Sequence, residues 1–166
     1  RGQGHKAANF RRYAKGKYRP MGLQGGQVRR ALYILWQCLW GFPQSLVGAV
    51  IFLLNLRRPH RSYHGAVVTE WKHKSSVSLG LFVFLAAAKS PEAKQCILVH
   101  EYGHTVQSLM LGPLYLIGVG LPSVLWAGLP QMKALRRKKN ISYYSVYPER
   151  WADRLGRRIT GEQSQY

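Results

Sequence analysis

Two uncharged apolar runs interrupt a chain that is otherwise polar and basic. The first covers residues 31–56, ALYILWQCLWGFPQSLVGAVIFLLNL, and the second covers residues 112–130, GPLYLIGVGLPSVLWAGLP. At a rise of about 1.5 Å per residue, about 20 helical residues cross the hydrocarbon of a bilayer, so the first run is long enough. Arg29, Arg30, Arg57 and Arg58 bracket it, where interfacial anchors belong. Pro43, following Gly41 and Phe42, predicts either a kink or the two halves of a re-entrant hairpin. The second run is short and is interrupted by Pro122. A soluble core in a chain of 166 residues would struggle to hold both. The pattern therefore predicts a mainly α membrane protein with a few membrane-embedded helices.

Other stretches show other patterns. GAVVTEW (65–71) and SVSLGLFVFL (76–85) gather β-branched and aromatic residues around the basic turn KHKSS. They predict a small β-hairpin over about 65–85 at the membrane surface, entered through a polar, basic loop at 57–75. Residues 91–111 predict a helix that opens at Pro91, a favoured first-turn position. KALRRKKN (133–140) reads as a solvated basic connector, and a last helix starts near Pro148 and runs to about 160. Residues 1–30 read as a basic, flexible arm with glycine and few large apolar residues. That leaves 31–166 as one membrane-embedded domain. The arm has no signal-peptide pattern, and residue 1 is arginine rather than methionine.

Charge adds a partner class. There are 25 Lys+Arg against 6 Asp+Glu, a formal +19 at pH 7, which suits anionic lipid headgroups or nucleic acid. Basic residues flank every apolar segment, so the positive-inside rule has nothing to contrast. Cys38 and Cys96 form no disulfide framework and no CxxC, which is compatible with a reducing compartment. Asn140-Ile141-Ser142 matches a glycosylation sequon, a pattern short enough to arise by chance.

Candidate chemistry lies in VHEYGHTVQS, residues 99–108. Residues four apart project from one face of a helix, so His100 and His104 can offer their imidazoles to a single ion. Glu101, one step round, can reach a water on that ion as its general base. Catalytic zinc needs a third protein ligand and a fourth position left for water. Among only six acids, Glu149 and Asp153 are again four apart, in YPERWADRLG. Glu149 there can complete a two-His, one-Glu set, and Asp153 can accept the spare N–H of a ligand histidine. The alternative for these two acids is salt bridging to Arg150, Arg154 or Arg157, which accounts for one segment but not for the coincidence of both.

HEYGH followed by ERWAD resembles the HExxH…ExxxD pattern of gluzincins. The alanine before the aspartate makes it similar to the integral-membrane members, the CAAX-prenyl endoproteases and bacterial heat-shock membrane metalloproteases. It also resembles short bacterial membrane proteins with an HEYGH helix. The resemblance covers about a fifth of the chain. It implies a zincin-like domain over 31–166, with Zn2+ held by His100, His104 and Glu149, Glu101 as base and Asp153 behind a ligand. The chain is much shorter than the prenyl endoproteases, so it does not imply their enclosed chamber. A metzincin would need Gly at 107 and His at 110, where this chain has Gln107 and Met110. A site-2 protease would need an NPDG-like segment, and none exists.

The expected activity is zinc-dependent peptide hydrolysis at or near the membrane interface. It would act on a peptide or membrane-protein substrate in a bacterial inner membrane, with anionic lipid as neighbour. Tyr143, Tyr144 and Tyr147 are candidates to donate to the oxyanion, Tyr147 foremost, with interfacial anchoring as the alternative. Cys96 lies one turn before His100 and is expected to pack rather than bind. His60, His64 and His73 are expected in solvated loop, and Trp36, Trp40, Trp71, Trp126 and Trp151 in packing or at the interface. Two other functions stay open. One is a small nucleic-acid- or ribosome-binding protein, which explains the basic arm but not the apolar runs. The other is an inactive zinc-bearing membrane scaffold.

Overall fold

The computed structural model describes residues 23–86 and 90–165; most of the expected basic arm, residues 1–22, lies outside them. The described residues are mainly helical with a small mixed sheet. Helix α1 (Leu23–Leu39) begins inside the stretch expected to be arm. Helix α2 (Phe42–Leu54) follows after a break at Gly41, and the two helices are bent by 99°. Pro43 supplies the reason, because it cannot continue α1 but is well placed in the first turn of α2. Among the described residues no single helix is long and apolar enough to cross a membrane; α1 from Gly26 together with α2 meets that test only as a bent pair.

The bend is stabilised from within. The Ser45 hydroxyl donates to Gln37 O, one of the orphan last-turn carbonyls of α1, at 3.0 Å. The Gln37 amide donates to Thr105 O at 2.7 Å, and Ser108 Oγ donates back to Gln37 Oε1 at 3.0 Å. Gln44 donates to Ser108 Oγ at 2.7 Å and to Gly112 O at 3.0 Å. Gln37, Gln44 and Ser108 are fully buried, so this network ties the bend to the end of the helix that carries the HExxH motif.

The sheet corrects the expected single hairpin. Strands β1 (His60–Tyr63), β2 (Ala66–Trp71), β3 (Val77–Leu79) and β4 (Phe82–Ala86) lie in the order β1-β2-β4-β3. The pairs β1/β2 and β3/β4 are antiparallel, while β2 and β4 run parallel with Val68 opposite Val83. Two tight turns make the difference. His64-Gly65 takes positive φ at both positions, as a type I′ hairpin turn requires. Gly80 (φ 59) breaks the second apolar run into two strands of its own. KHKSS is therefore a crossover and not a turn, and the expected loop at 57–75 contains β1 and β2.

Helix α3 (Pro91–Leu111) is capped by Ser90, whose hydroxyl accepts from Ala93 N at 3.3 Å. Ala66, Val68, Val83 and Leu85 of the sheet pack on its Leu98, Tyr102 and Val106 to form the core. The second apolar run is broken into a 3₁₀ turn (Gly112–Leu114), a wide π turn (Leu116–Gly120) and α4 (Leu121–Gly128). The expected connector at 133–140 is largely helical, as α5 (Pro130–Lys138). Helix α6 (Tyr147–Thr160) ends at Gly161 (φ 72), and its Pro148, Glu149, Ala152, Asp153 and Gly156 are buried. It crosses α3 through glycine. A Cβ on Gly103 would lie 1.9 Å from Ala152 O, and one on Gly156 would lie 2.1 Å from Val99 O.

Gly103→Ala is expected to destabilise the fold by about 3 kcal/mol, because overpacking at a backbone contact forces the helices apart. Gly118→Ala, which meets nothing within 4 Å, should stay within about 1 kcal/mol of the unsubstituted protein. Thermal unfolding in detergent compares the two; equal melting temperatures would mean the crossing tolerates a methyl group.

Candidate metal centre

Helix α3 presents His100 and His104 one turn apart, and α6 brings Glu149 against both. One ligand atom from each of these three buried residues lies within 4.8 Å of the others. His100 Nε2 is 3.1 Å and His104 Nε2 is 3.6 Å from the same carboxylate oxygen, Glu149 Oε2.

What stands behind each ring fixes what it presents in front. His100 Nδ1 lies 3.0 Å from Asp153 Oδ1, an acceptor, so that nitrogen carries a proton and Nε2 is the one that can give a lone pair to an ion in exchange for its own proton. For His104 the same logic runs through an amide. Gln107 Nε2 donates to Pro148 O at 2.9 Å, which leaves Gln107 Oε1 to accept from His104 Nδ1 at 2.7 Å. His104 Nε2 then also faces the centre as a lone pair. Two imidazole nitrogens and a carboxylate oxygen converge on one point, an arrangement that a proton on His100 Nε2 or a cation makes favourable. Glu149 Oε1 is buried without a hydrogen-bond partner in the structure, so the carboxylate has a further oxygen for an ion. These residues fit a metal ion.

The charges behave as an array of this kind requires. Burial opposes the charge on Glu149, but the His100 and His104 imidazoles beside it hold its carboxyl well below the usual carboxylate range. Asp153 follows the same pattern, lowered against its burial by His100 and by the hydroxyl of Ser164. Burial pushes His100 down, yet its bonds to Asp153 and Glu149 prevail and raise it to about 10 in the absence of an ion. A cation at the centre would compete with that proton.

Glu101 lies beside the set without joining it. Ser78 of β3 donates to its Oε2 at 2.5 Å or to its backbone carbonyl at 2.8 Å. A cleft of about 630 Å³ opens over Glu101 and the three donors, walled by Val77 and Ser78 on one side and by Val124 and Ala127 of α4 on the other. Tyr143 and Tyr144 line it as well, whereas Tyr147 does not. Tyr147 is exposed and stacks on Trp151, with ring centroids 5.8 Å apart. The Tyr144 ring sits edge-on to His100 at 5.1 Å. Burial, then the charge of Glu101, pushes its phenol up to about 12, so the hydroxyl stays a donor at neutral pH.

His60 is in strand β1, bonded to Thr69 and Leu56; His64 occupies the tight turn, and His73 packs on Trp71. None of them lines the cleft. Cys38 and Cys96 are free thiols. Sequence reasoning missed three supporting residues: Gln107, Ser78 and Ser164. Gln107 was within reach, three residues after His104 on the same helix face. Ser78 and Ser164 come from distant segments, and no local pattern marks them.

Asp153→Asn and Gln107→Leu should each weaken a bound divalent ion by about 10–100-fold, since each removes the group that fixes a ligand's tautomer. Competition with a chromogenic chelator measures this, and affinity unchanged in both variants would show that the two rings need no support.

No family model, curated protein or solved structure matches the chain.

Proposed function

We propose that the protein is a membrane-embedded, zinc-dependent peptidase that hydrolyses peptide bonds at or near the membrane interface. The observation that carries this reading is the convergence of three oriented electron-pair donors beside a carboxylate that is not one of them, on the floor of an open cleft. Two imidazole nitrogens and one carboxylate suit zinc with a position left open. When bound, zinc supplies Lewis acidity and brings the pKa of water toward ~7.

The remaining steps belong to the chain. Glu101, held by Ser78, takes the proton of the attacking water and returns it to the leaving amine. Tyr144 or Tyr143 replaces Tyr147 as the donor to the charge that develops on the substrate carbonyl, because those two line the cleft. Strand β3 is an edge of the sheet and carries Ser78 beside Glu101, so an extended peptide added to that edge would run through the cleft. Membrane residence is supported by the apolar surface. Leu39, Leu53, Leu54, Leu114, Ile117 and Val124 are each more than 60 % exposed, which is unusual for a protein that meets only water.

Glu101→Gln keeps the size of the side chain but cannot take the proton. It is expected to retain about one zinc per chain while hydrolysis falls by about 10²–10⁴-fold. His104→Ala should lose both. Zinc analysis of detergent-purified protein, with cleavage of a casein-type substrate, separates the cases. Hydrolysis by Glu101→Gln at the unsubstituted rate would end the peptidase assignment even with zinc bound.

A further inference from the structure

Both arms of the bent pair α1/α2 meet the same piece of sheet. On α1, about two turns in from its first residue, Arg30 and Tyr33 pack on the β1–β2 turn; a Cβ on Gly65 would lie 2.9 Å from the Tyr33 ring and 3.6 Å from Arg30 Cγ. At the finish, the chain passes from α2 through Pro59 directly into β1. There Glu70 N donates to Pro59 O at 3.1 Å, and the Phe52 ring packs on His60 at 4.8 Å between centroids. The element joining these two points is the four-residue strand His60–Tyr63, about 10 Å of extended chain. Arg57 and Arg61 beside it are exposed. Opposite sides of a bilayer are separated by about 30 Å of hydrocarbon. A short polar strand bearing exposed arginines cannot bridge that distance.

The bend itself is the apolar extreme. Leu35, Leu39, Phe42 and Leu46 surround it, each at least 50 % exposed. The end of α3 lies beside it, where Trp36 Nε1 donates to Leu109 O at 3.3 Å and Gly112 abuts Trp40. Met110, Leu114 and Ile117 extend the same surface. At the break the Gln37 carbonyl accepts from Ser45, and the Gln37 and Gln44 side chains turn inward to donate to Thr105 O and Gly112 O, so these polar groups are satisfied within the protein, as a lipid-facing break requires. The depth also fits. The 13 residues of α2 make about 20 Å of helix, and a 99° bend set symmetrically to the surface reaches about 15 Å below its ends. That is one leaflet.

We propose that the bent pair and the adjoining end of α3 are seated in a single leaflet of an anionic bilayer, without crossing it. Arg29, Arg30, Arg57 and Arg58 then lie on one side at headgroup level, where basic residues meet anionic lipid. The sheet and the mouth of the cleft lie on that side too. This inference deepens the membrane part of the proposed function and does not depend on hydrolysis.

The test uses oriented sealed vesicles from expressing cells, with single cysteines introduced at exposed positions after Cys38→Ala and Cys96→Ala. Gln27→Cys and Arg57→Cys should both react with an impermeant maleimide from the same side. Val50→Cys should react only after detergent. Trypsin on the unsubstituted protein gives a second measurement free of any folding defect, with cleavage at Arg29–Arg30 and at Arg57–Arg58 expected from one side. Labelling or cleavage of the two ends from opposite sides would overturn the single-leaflet arrangement and leave membrane attachment standing. Release of the unsubstituted protein by alkaline carbonate would overturn both.

Discussion

The site depends on how closely α3 and α6 approach each other. Gly103 lies against the Ala152 carbonyl and Gly156 against the Val99 carbonyl, with no room for a methyl group at either. A crossing made through glycine and backbone is tighter than side-chain packing allows, and Glu149 needs that closeness. Its carboxylate reaches His100 Nε2 at 3.1 Å on a side chain of only two methylenes. The fourth position of HEYGH thus serves a different end from the first and fifth: Gly103 sets the separation, and His100 and His104 use it. Ala152 in ERWAD has the same role opposite.

This packing concentrates charge where a basic protein would otherwise have little of the negative kind. Three of the six acids, Glu101, Glu149 and Asp153, are buried around one point in a chain of formal charge +19. Burying carboxylates is costly unless each is matched, and here the matches alternate: Ser164 to Asp153, Asp153 to His100, His100 to Glu149. The order has a direction. Each group behind a ring accepts a hydrogen bond from Nδ1, and each ring turns Nε2 toward Glu149, so the negative field focuses on the cleft side. A cation bound there relieves the array; an anion would find no partner.

Much of the site could be read from local spacing, because a helix turns i and i+4 into one face. That rule alone joined His100 to His104 and Glu149 to Asp153, and Pro91 and Pro148 marked where the two helices begin. The sheet was less legible. GAVVTEW and SVSLGLFVFL look like two strands, and their pairing depended on two turn positions whose φ values no apolar pattern encodes, His64-Gly65 and Gly80. Tyr147 illustrates a second limit. It is the tyrosine nearest Glu149 in sequence, yet the first turn of α6 rotates it out to stack on Trp151, while Tyr143 and Tyr144 in a separate 3₁₀ turn (Tyr143–Ser145) line the cleft.

Helix α3 is the element shared by every part of the molecule. Its early turns lie on the sheet, its middle carries His100 and His104, and its end receives the polar network from the helix break. Thr105, whose carbonyl accepts from Gln37, directly follows His104, so the bend and the ligands are coupled over a single residue. Displacing the bent pair along α3 would break buried hydrogen bonds worth about 1 kcal/mol each and strand their partners. The opposite wall of the cleft is attached differently. Trp126 Nε1 donates to Tyr143 O at 2.9 Å, and Arg136 packs over the rings of Trp126 and Tyr143. The cleft therefore has one wall built into the core with the ligands and another, α4 with α5, anchored at an aromatic and cationic cluster.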